Sequence, residues 1–500
     1  MWPPLPRRTT RSGQIGRWTE AIVTSPLDPV PNVLAARYAS APMSGIWSPV
    51  AKVRLERELW VAVLSAQRDL GVEIPDGVIE AYRAVLDRVD LESIHRRERV
   101  TRHDVKARIE EFCELAGHEH IHKGMTSRDL TENVEQLQIR RSLVLIRDRM
   151  VAALAALARL AAEHETLVMT GRSHNVAAQV TTLGKRFANA GEEMLIAFRR
   201  IEAVIGDYPL RGLKGPVGTQ QDQLDLLGGD VERVASLEQA LAEHLGFATV
   251  LTNVGQVYPR SLDLEVVATL LQASSAPSSL AKSIRLMAGH ELVTEGFKEG
   301  QVGSSAMPHK MNTRSCERIC GLAAVLTGHL AMVASITGDQ WNEGDVSCSV
   351  VRRVALPDSF FAADGLYLTL LSVLSEFGAY PAVIQHELER YLPFLASSKI
   401  LLAAVARGAG REEAHQAIQE HAIEVAKAMR EKGRTANDLL DKLAADSRLR
   451  LGPADLSDLL DEPLSFVGNA LAQTRAFVAE VETIVERYPD AAVHEPEPIL

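Results

Sequence analysis

The 500-residue chain is poor in the residues that favour sheet: aromatic side chains make up only 5% of it. Strands enrich aromatic and β-branched residues, and no convincing run of alternating strands is found, so a mainly β architecture is disfavoured. Cysteine is also scarce. The four present, Cys113, Cys316, Cys320 and Cys348, match no disulfide framework, which points to a reducing, cytoplasmic setting. Cys316 and Cys320 would share a helix face but have no second pair at ligand spacing, so core packing is expected there rather than zinc. His118, His120 and His122 alternate, without a cysteine or carboxylate to complete a metal site. An apolar run of about 18 residues is missing too, so no membrane span is expected. Nor is there an excess of positive charge. Lys and Arg total 54 against 65 Asp and Glu, a net charge of −11. That balance argues against a nucleic-acid surface, which is basic, but leaves room for a local basic pocket holding a small anion. Residues 1–25 carry Arg7, Arg8, Arg11 and Arg17 among three prolines and lack the apolar core of a secretion signal, so a disordered leader is expected.

Helical periodicity is abundant. Between Thr126 and Thr170 there is neither glycine nor proline, and Leu143, Ile146, Met150, Leu154 and Leu157 recur at three- or four-residue steps. One helix over that stretch would be about 65 Å long at ~1.5 Å per residue. Such a helix needs a long bundle, and an oligomer, to cover its sides. Further helices are expected at Lys185–Ile205, Asp230–Leu245, Leu262–Ala288, Arg314–Ile336, Asp358–Phe377, Glu412–Lys432, Ala436–Ala444 and Leu464–Glu486. The expected fold is all-α, in three domains: 1–125, a central long-helix bundle at 126–372, and a helical domain at 373–500.

One loop has a chemical character of its own: Gly303-Ser304-Ser305-Ala306-Met307-Pro308-His309-Lys310-Met311-Asn312. Asn312 or Thr313 can cap the helix that follows. A small-residue loop ahead of a helix presents backbone N–H groups and the positive end of a helix dipole. Lys310 adds a full charge, and together these suit a carboxylate or a carbanion delocalised into one.

With Glu317 behind it, this loop resembles the signature of the fumarase/aspartase superfamily. Two more segments fit the same superfamily in the same order. They are Thr126-Ser127-Arg128-Asp129 with Asn133, and Arg172-Ser173-His174-Asn175 running on to Ala178-Gln179 and Thr181-Thr182-Leu183-Gly184-Lys185. Within the superfamily, Ala36-Arg37-Tyr38-Ala39-Ser40, Thr101-Arg102-His103-Asp104-Val105, His120-Ile121-His122-Lys123-Gly124 and Gly255-Gln256-Val257-Tyr258 resemble the adenylosuccinate lyase family. The likeness spans about residues 30–487. It implies an elimination of fumarate from succinylated purine nucleotides in AMP and purine biosynthesis, with no metal or organic cofactor. Argininosuccinate lyases and carboxymuconate cycloisomerases share the superfamily; the Arg37-Tyr38 and Arg102-His103-Asp104 segments argue against both. A catalytically dead scaffold is the reading of a different class, and the presence of Ser304, His174 and Lys310 argues against it.

The resemblance assigns the base to Ser304 and the acid to His174; an imidazole titrates close enough to neutrality to donate a proton. It assigns the succinyl carboxylates to Lys310, Asn312, Thr126, Ser127 and Gln256, and the phosphate to Arg37, Tyr38, Ser349 and Arg353. His103 would orient phosphate or base, with Arg102, Asp104, His122 and Arg318 as further contacts. It also implies a homotetramer whose active sites are shared between subunits, with small-molecule nucleotides as substrates and neither nucleic acid nor membrane as partner. The chain departs from the family pattern at three places. Ser173 through Gln179 replaces a usual Thr-His-x-Gln-Pro-Ala-Gln, and Met311 and Thr313 replace an Arg and a Pro. Gly344, in Glu343-Gly344-Asp345, replaces an arginine that the resemblance would aim at the phosphate.

Overall fold

A computed structural model of the chain describes residues 30–296, 307 and 309–495. The expected leader, and Ser304 and Ser305, lie outside the described residues.

The long glycine-free stretch forms helix α3, Ser127–Glu163, of 37 residues. Before it come α1 (Pro49–Asp69) and α2 (Asp104–Ala116). After it stand α4 (Leu183–Asp207), α5 (Ser261–Ala273), α6 (Ser275–Gly289), α7 (Arg314–Ile336) and α8 (Cys348–Glu376). The last long helix is α9, Ala470–Arg487. Helices α3, α4, α7 and α8 pack side by side, and α9 returns to lie on α3 and α4. The apolar stripe read from the sequence sits at the centre: Leu143, Ile146, Met150, Leu154 and Leu157 are all fully buried. Each such side chain contributes about 1.5–3 kcal/mol by leaving water. A second core, built from residues such as Ile400, Ala417, Val425, Leu439 and Leu443, forms separately in the C-terminal segment, whereas Phe477, Val481 and Ile484 rejoin the main core.

Three expectations need correction. The long helix stops at Glu163, and the chain then makes an antiparallel hairpin, β1 (Val168–Ser173) and β2 (Val176–Thr182). Gly184 closes its base. A Cβ there would lie 2.3 Å from the Ala161 carbonyl oxygen, so only glycine lets the end of α3 and the start of α4 come this close. The expected Leu262–Ala288 helix is broken at Ser274 into α5 and α6; Pro277 has no N–H to continue the ladder and is accommodated in the first turn of α6. Conversely, α8 starts at Cys348 and runs through Pro357, so the Arg353 carbonyl, four residues back, loses its helical donor.

Helices α7 and α8 are long and apolar enough to cross a membrane by length and composition. In the fold both belong to the bundle. Most of the apolar stretch of α8 is buried, but only a third of that of α7. The uncovered face of α7 carries Gly321, Ala324, Gly328, Ala331 and Ser335, small residues at helical spacing.

Candidate active site

Buried polar side chains on the first turns of α3 tie two loops to its N-terminus. Asp129 is fully buried, and its Oδ1 accepts from Arg211 at 2.6 Å and from the Lys214 and Gly215 N–H groups at 2.9 and 3.0 Å. Its Oδ2 accepts from the Thr126 N–H at 2.8 Å, which fixes the residue that opens the helix. Asn133 holds both the N–H and the carbonyl of Gly212 at 2.9 Å. Glu132 takes both bonds from Arg260, at 2.9 and 3.0 Å, and so holds the loop that carries Gln256. Ion pairs this deep need all their partners, because burial of a charge is costly unless it is paired and hydrogen-bonded.

The start of α8 is held the same way. Arg352 is buried; its Nε donates to Asp263 at 2.7 Å, and Nη1 to Glu135 at 2.8 Å. Tyr258 donates to Asp263 at 2.7 Å and accepts from Arg352. Burial alone would raise the Glu135 carboxyl, but Arg352 and Lys52 outweigh it and hold the group down at about 2. Glu135 is therefore an anion at any physiological pH.

These ties shape a cavity of about 370 Å³. It is lined by Lys52, His103, Asp104, Thr126, Ser127, Arg128, Glu135, Gln256, Ser349, Arg352 and Arg353, among others. His103 caps α2: its Nδ1 accepts from the Lys106 N–H at 3.2 Å, which leaves the proton on Nε2, 3.3 Å from Ser127 Oγ. Arg128 donates to Glu132 at 3.2 Å and to Ser349 Oγ at 3.4 Å, which links α3 to α8 across the cavity wall. Burial raises the Asp104 carboxyl, but Arg108, at 2.8 Å, more than reverses this. The result is a cation-rich pocket with two fixed carboxylates.

Seven of the expected site residues meet here: His103, Asp104, Thr126, Ser127, Gln256, Ser349 and Arg353. The others do not. Lys310 and Asn312 line a different cavity of about 470 Å³, with Glu295 and Tyr380. Tyr38 packs against Gly365 and lies under the Arg318 guanidinium, 5.8 Å from its ring centre; Arg37 ends a short helix beside it. Arg102 closes the helix Leu91–Thr101 in a left-handed conformation. His174 lies at the hairpin tip. His174 and Asn175 have φ of 52° and 60° and are flanked by the paired Ser173 and Val176, a two-residue turn of the kind that needs two left-handed residues. Asn and His tolerate that conformation better than most side chains. The tip is exposed to solvent. A cavity of about 860 Å³ between α1 and the helix Val231–Leu245 is lined by none of the expected residues.

Sequence reasoning missed Lys52, Arg128 and Glu135 as lining residues. It also expected Asn312 or Thr313 to cap α7. Thr313 stands at the cap position without a side-chain bond, and the capping is done from a distance. The Glu295 carboxylate, nearly buried, accepts from the Ser315 and Cys316 N–H groups at 2.9 and 2.8 Å. A protein carboxylate thus already occupies two of the N–H groups that the sequence reading offered to substrate. The three alternating histidines are also engaged otherwise. His122 accepts from Trp60 Nε1 at 3.0 Å, and the His118 and His120 rings pack edge to face.

Comparison with known proteins bears on this geometry. A family profile described as "Lyase" matches residues 39–328, and one described as "Adenylosuccinate lyase C-terminus" matches residues 393–477. The adenylosuccinate lyase of Saccharomyces cerevisiae is 36% identical over 450 residues, covering 89% of this chain and 93% of that protein. The chain belongs to the adenylosuccinate lyase family. The Schistosoma mansoni adenylosuccinate lyase is 33% identical over 92% of this chain and 96% of its own length. Among solved structures, a fumarate lyase from Mesorhizobium superposes with a TM-score of 0.75 at 23% identity, covering 89% of this chain and 98% of that one. A 3-carboxy-cis,cis-muconate lactonizing enzyme from Pseudomonas putida gives 0.77 at 19% identity, covering 91% and 100%. At such identities these two likenesses establish the fold alone, whereas the family rests on the full-length sequence relatives.

Proposed function

We propose that this chain eliminates fumarate from adenylosuccinate to give AMP, and from the succinylated aminoimidazole carboxamide ribotide to give the free carboxamide. The observation that carries the reading is the cation-rich cavity in which Thr126, Ser127, His103, Gln256, Ser349 and Arg353 converge, in a chain of this family. Both substrates join a succinyl amine to a ribose phosphate, so a site that grips the two anionic ends serves both. The reaction removes a proton next to a carboxylate, passes through a carbanion, and protonates the leaving nitrogen. Ser304 is the proposed base and His174 the proposed acid. Lys310, Asn312, Thr126, Ser127 and Gln256 would hold the carboxylates; Ser349, Arg353, Arg37 and Tyr38 would hold the phosphate. His103 would orient the substrate, with Arg102, Asp104 and Arg318 at its edge.

The same reading makes the enzyme a homotetramer with sites shared between subunits. Three features of the single chain support it. The proposed acid is exposed on a hairpin tip, and Lys310 and Asn312 face another cavity. Helix α7 leaves its small-residue face uncovered, where a second helix can approach closely. Val350 and Val354 on the first turns of α8, and Val346 just before it, are exposed, with relative exposures of 71, 44 and 48%. We also propose the three-domain division near residues 125 and 372, with α9 returning to the central bundle, and a cytoplasmic location, which suits four free thiols.

The test is fumarate release by the purified full-length protein, with no added metal. Turnover of both nucleotides is expected. Cleavage of argininosuccinate while both nucleotides stay intact would overturn the assignment.

A further inference from the structure

The turn containing Gly344 is seated on the loop that carries Gln256, and no side chain fits between them. The Gln256 N–H donates to the Glu343 carbonyl at 2.6 Å, and the Gly344 N–H closes its own turn on the Trp341 carbonyl at 3.0 Å. A Cβ at Gly255 would lie 1.9 Å from the Glu343 carbonyl oxygen. One at Gly344 would lie 2.7 Å from Gln256 Cβ and 3.3 Å from its Oε1. Carbon atoms out of bonding contact prefer about 3.5–4.0 Å. The clash cannot be relieved by swinging a flexible end, because the nearer atom is the Cβ of Gln256, one bond from the backbone. That backbone is held from both sides: Glu343 takes the Gln256 N–H, and Arg211 Nη2 donates to the Gly255 carbonyl at 3.1 Å. Gly344 does not have the positive φ that would require glycine for conformational reasons. What it supplies is space.

We propose that Gly344 is a positioning residue: by having no side chain it lets the 341–345 turn lock Gln256 into the cation-rich cavity. Residue 344 therefore acts on the substrate through Gln256. The inference rests on the lyase reading and deepens it. It also reverses the simplest view of this position, that the chain merely lacks a guanidinium there. If charge governed residue 344, Gly344→Arg would tighten an anionic substrate. If seating governs it, the same change displaces Gln256 and weakens binding.

The experiment compares the full-length wild type with Gly344→Ala, Gly344→Arg, Gln256→Ala and the Gly344→Ala/Gln256→Ala double variant. KM and kcat for adenylosuccinate come from fumarate release. Amide hydrogen exchange is followed on the peptide containing Gln256. Both Gly344 variants are expected to raise KM about tenfold with kcat held within about threefold, a loss of binding shared by ground and transition states. The double variant should be no worse than Gln256→Ala alone, because both changes remove one interaction. In Gly344→Ala the Gln256 amide should exchange faster while α3 amides stay as protected as in wild type. A lower KM in Gly344→Arg, multiplied effects in the double variant, or unchanged exchange at Gln256 would each overturn the proposal. If the wild type releases no fumarate, the lyase reading fails, and the exchange measurement still decides whether Gly344 seats Gln256.

Discussion

The Thr126 cavity and the His174 hairpin carry equally specific sequence segments, yet the folded chain treats them in opposite ways. Around the cavity, each buried charge on α3 has its partners, and two loops are bound to the helix by side chains rather than by packing. At the hairpin, His174 and Asn175 occupy left-handed conformations in solvent, held by the strand pairing beneath them. The cavity is pre-organised within one chain. The hairpin tip is set by strand pairing and exposed to solvent, and Asn175 there lines two cavities together with Arg172.

The largest test breaks this contrast outright. His174→Ala and Ser304→Ala are each expected to lower kcat about 10²–10⁴-fold, the usual contribution of a positioned acid or base. Dissociated, mixed and reassociated, the two inactive variants should regain a fraction of wild-type activity. Mixed tetramers that form and remain inactive would place both residues in the site of one chain.

The cavity side is tested by removing a charge from its support. Arg352→Met leaves Asp263 and Glu135 without their shared guanidinium. Breaking a buried pair in this way costs about 3–5 kcal/mol, to be read from urea unfolding. Arg353→Ala, one residue on and facing the cavity, should leave unfolding nearly unchanged and raise KM instead. A large stability loss at Arg353 would show that it supports the fold rather than the substrate.

Acid should weaken the same region through His122. Burial against Trp60, only partly countered by Asp129, lowers this imidazole to about 4 in the fold. An unfolded histidine titrates near ~6.5. Between those values the unfolded chain binds more protons, so stability present above pH ~6.5 is lost as the pH falls toward 4, by about 3 kcal/mol. His122→Asn keeps an acceptor for Trp60, tolerates the φ of 66° and cannot titrate. Melting temperature against pH should be flatter in that variant over this window; an unaltered profile assigns the acid sensitivity elsewhere.

The smallest expected effect sharpens the hairpin side. Asn175→Gly, at the second position of the turn, should change stability by less than about 0.5 kcal/mol, since both residues accept positive φ. A kcat loss without a stability loss would show that Asn175 orients His174 rather than merely allowing the turn.

Much of this was legible in advance for a simple reason. Helix periodicity and elimination chemistry are both written in local residue order. The stripe from Leu143 to Leu157 needed only 3.6-residue spacing to be read, and α7 begins and ends at the expected residues. The hairpin was not read, because its strands are short and no full alternation marks them. The available signal was β-branched enrichment around an Asn: Val168 and Thr170 on one side, Val176, Val180, Thr181 and Thr182 on the other. The helix expected at Asp358–Phe377 begins ten residues earlier, at Cys348, and runs through Pro357.

Sequence alone determined the helical class, which depends on residue types at short spacing, and the family, whose characteristic segments it resembles. Only the tertiary structure decided which segments meet. Glu295 caps α7 at Cys316 from 21 residues upstream, and Arg260 reaches Glu132 from 128 residues along the chain. Gly344 must be bare because Gln256 stands against it. Such contacts join residues whose spacing in the sequence bears no relation to their distance in the fold, so no pattern along the chain encodes them; steric fit and the pairing of buried charge do.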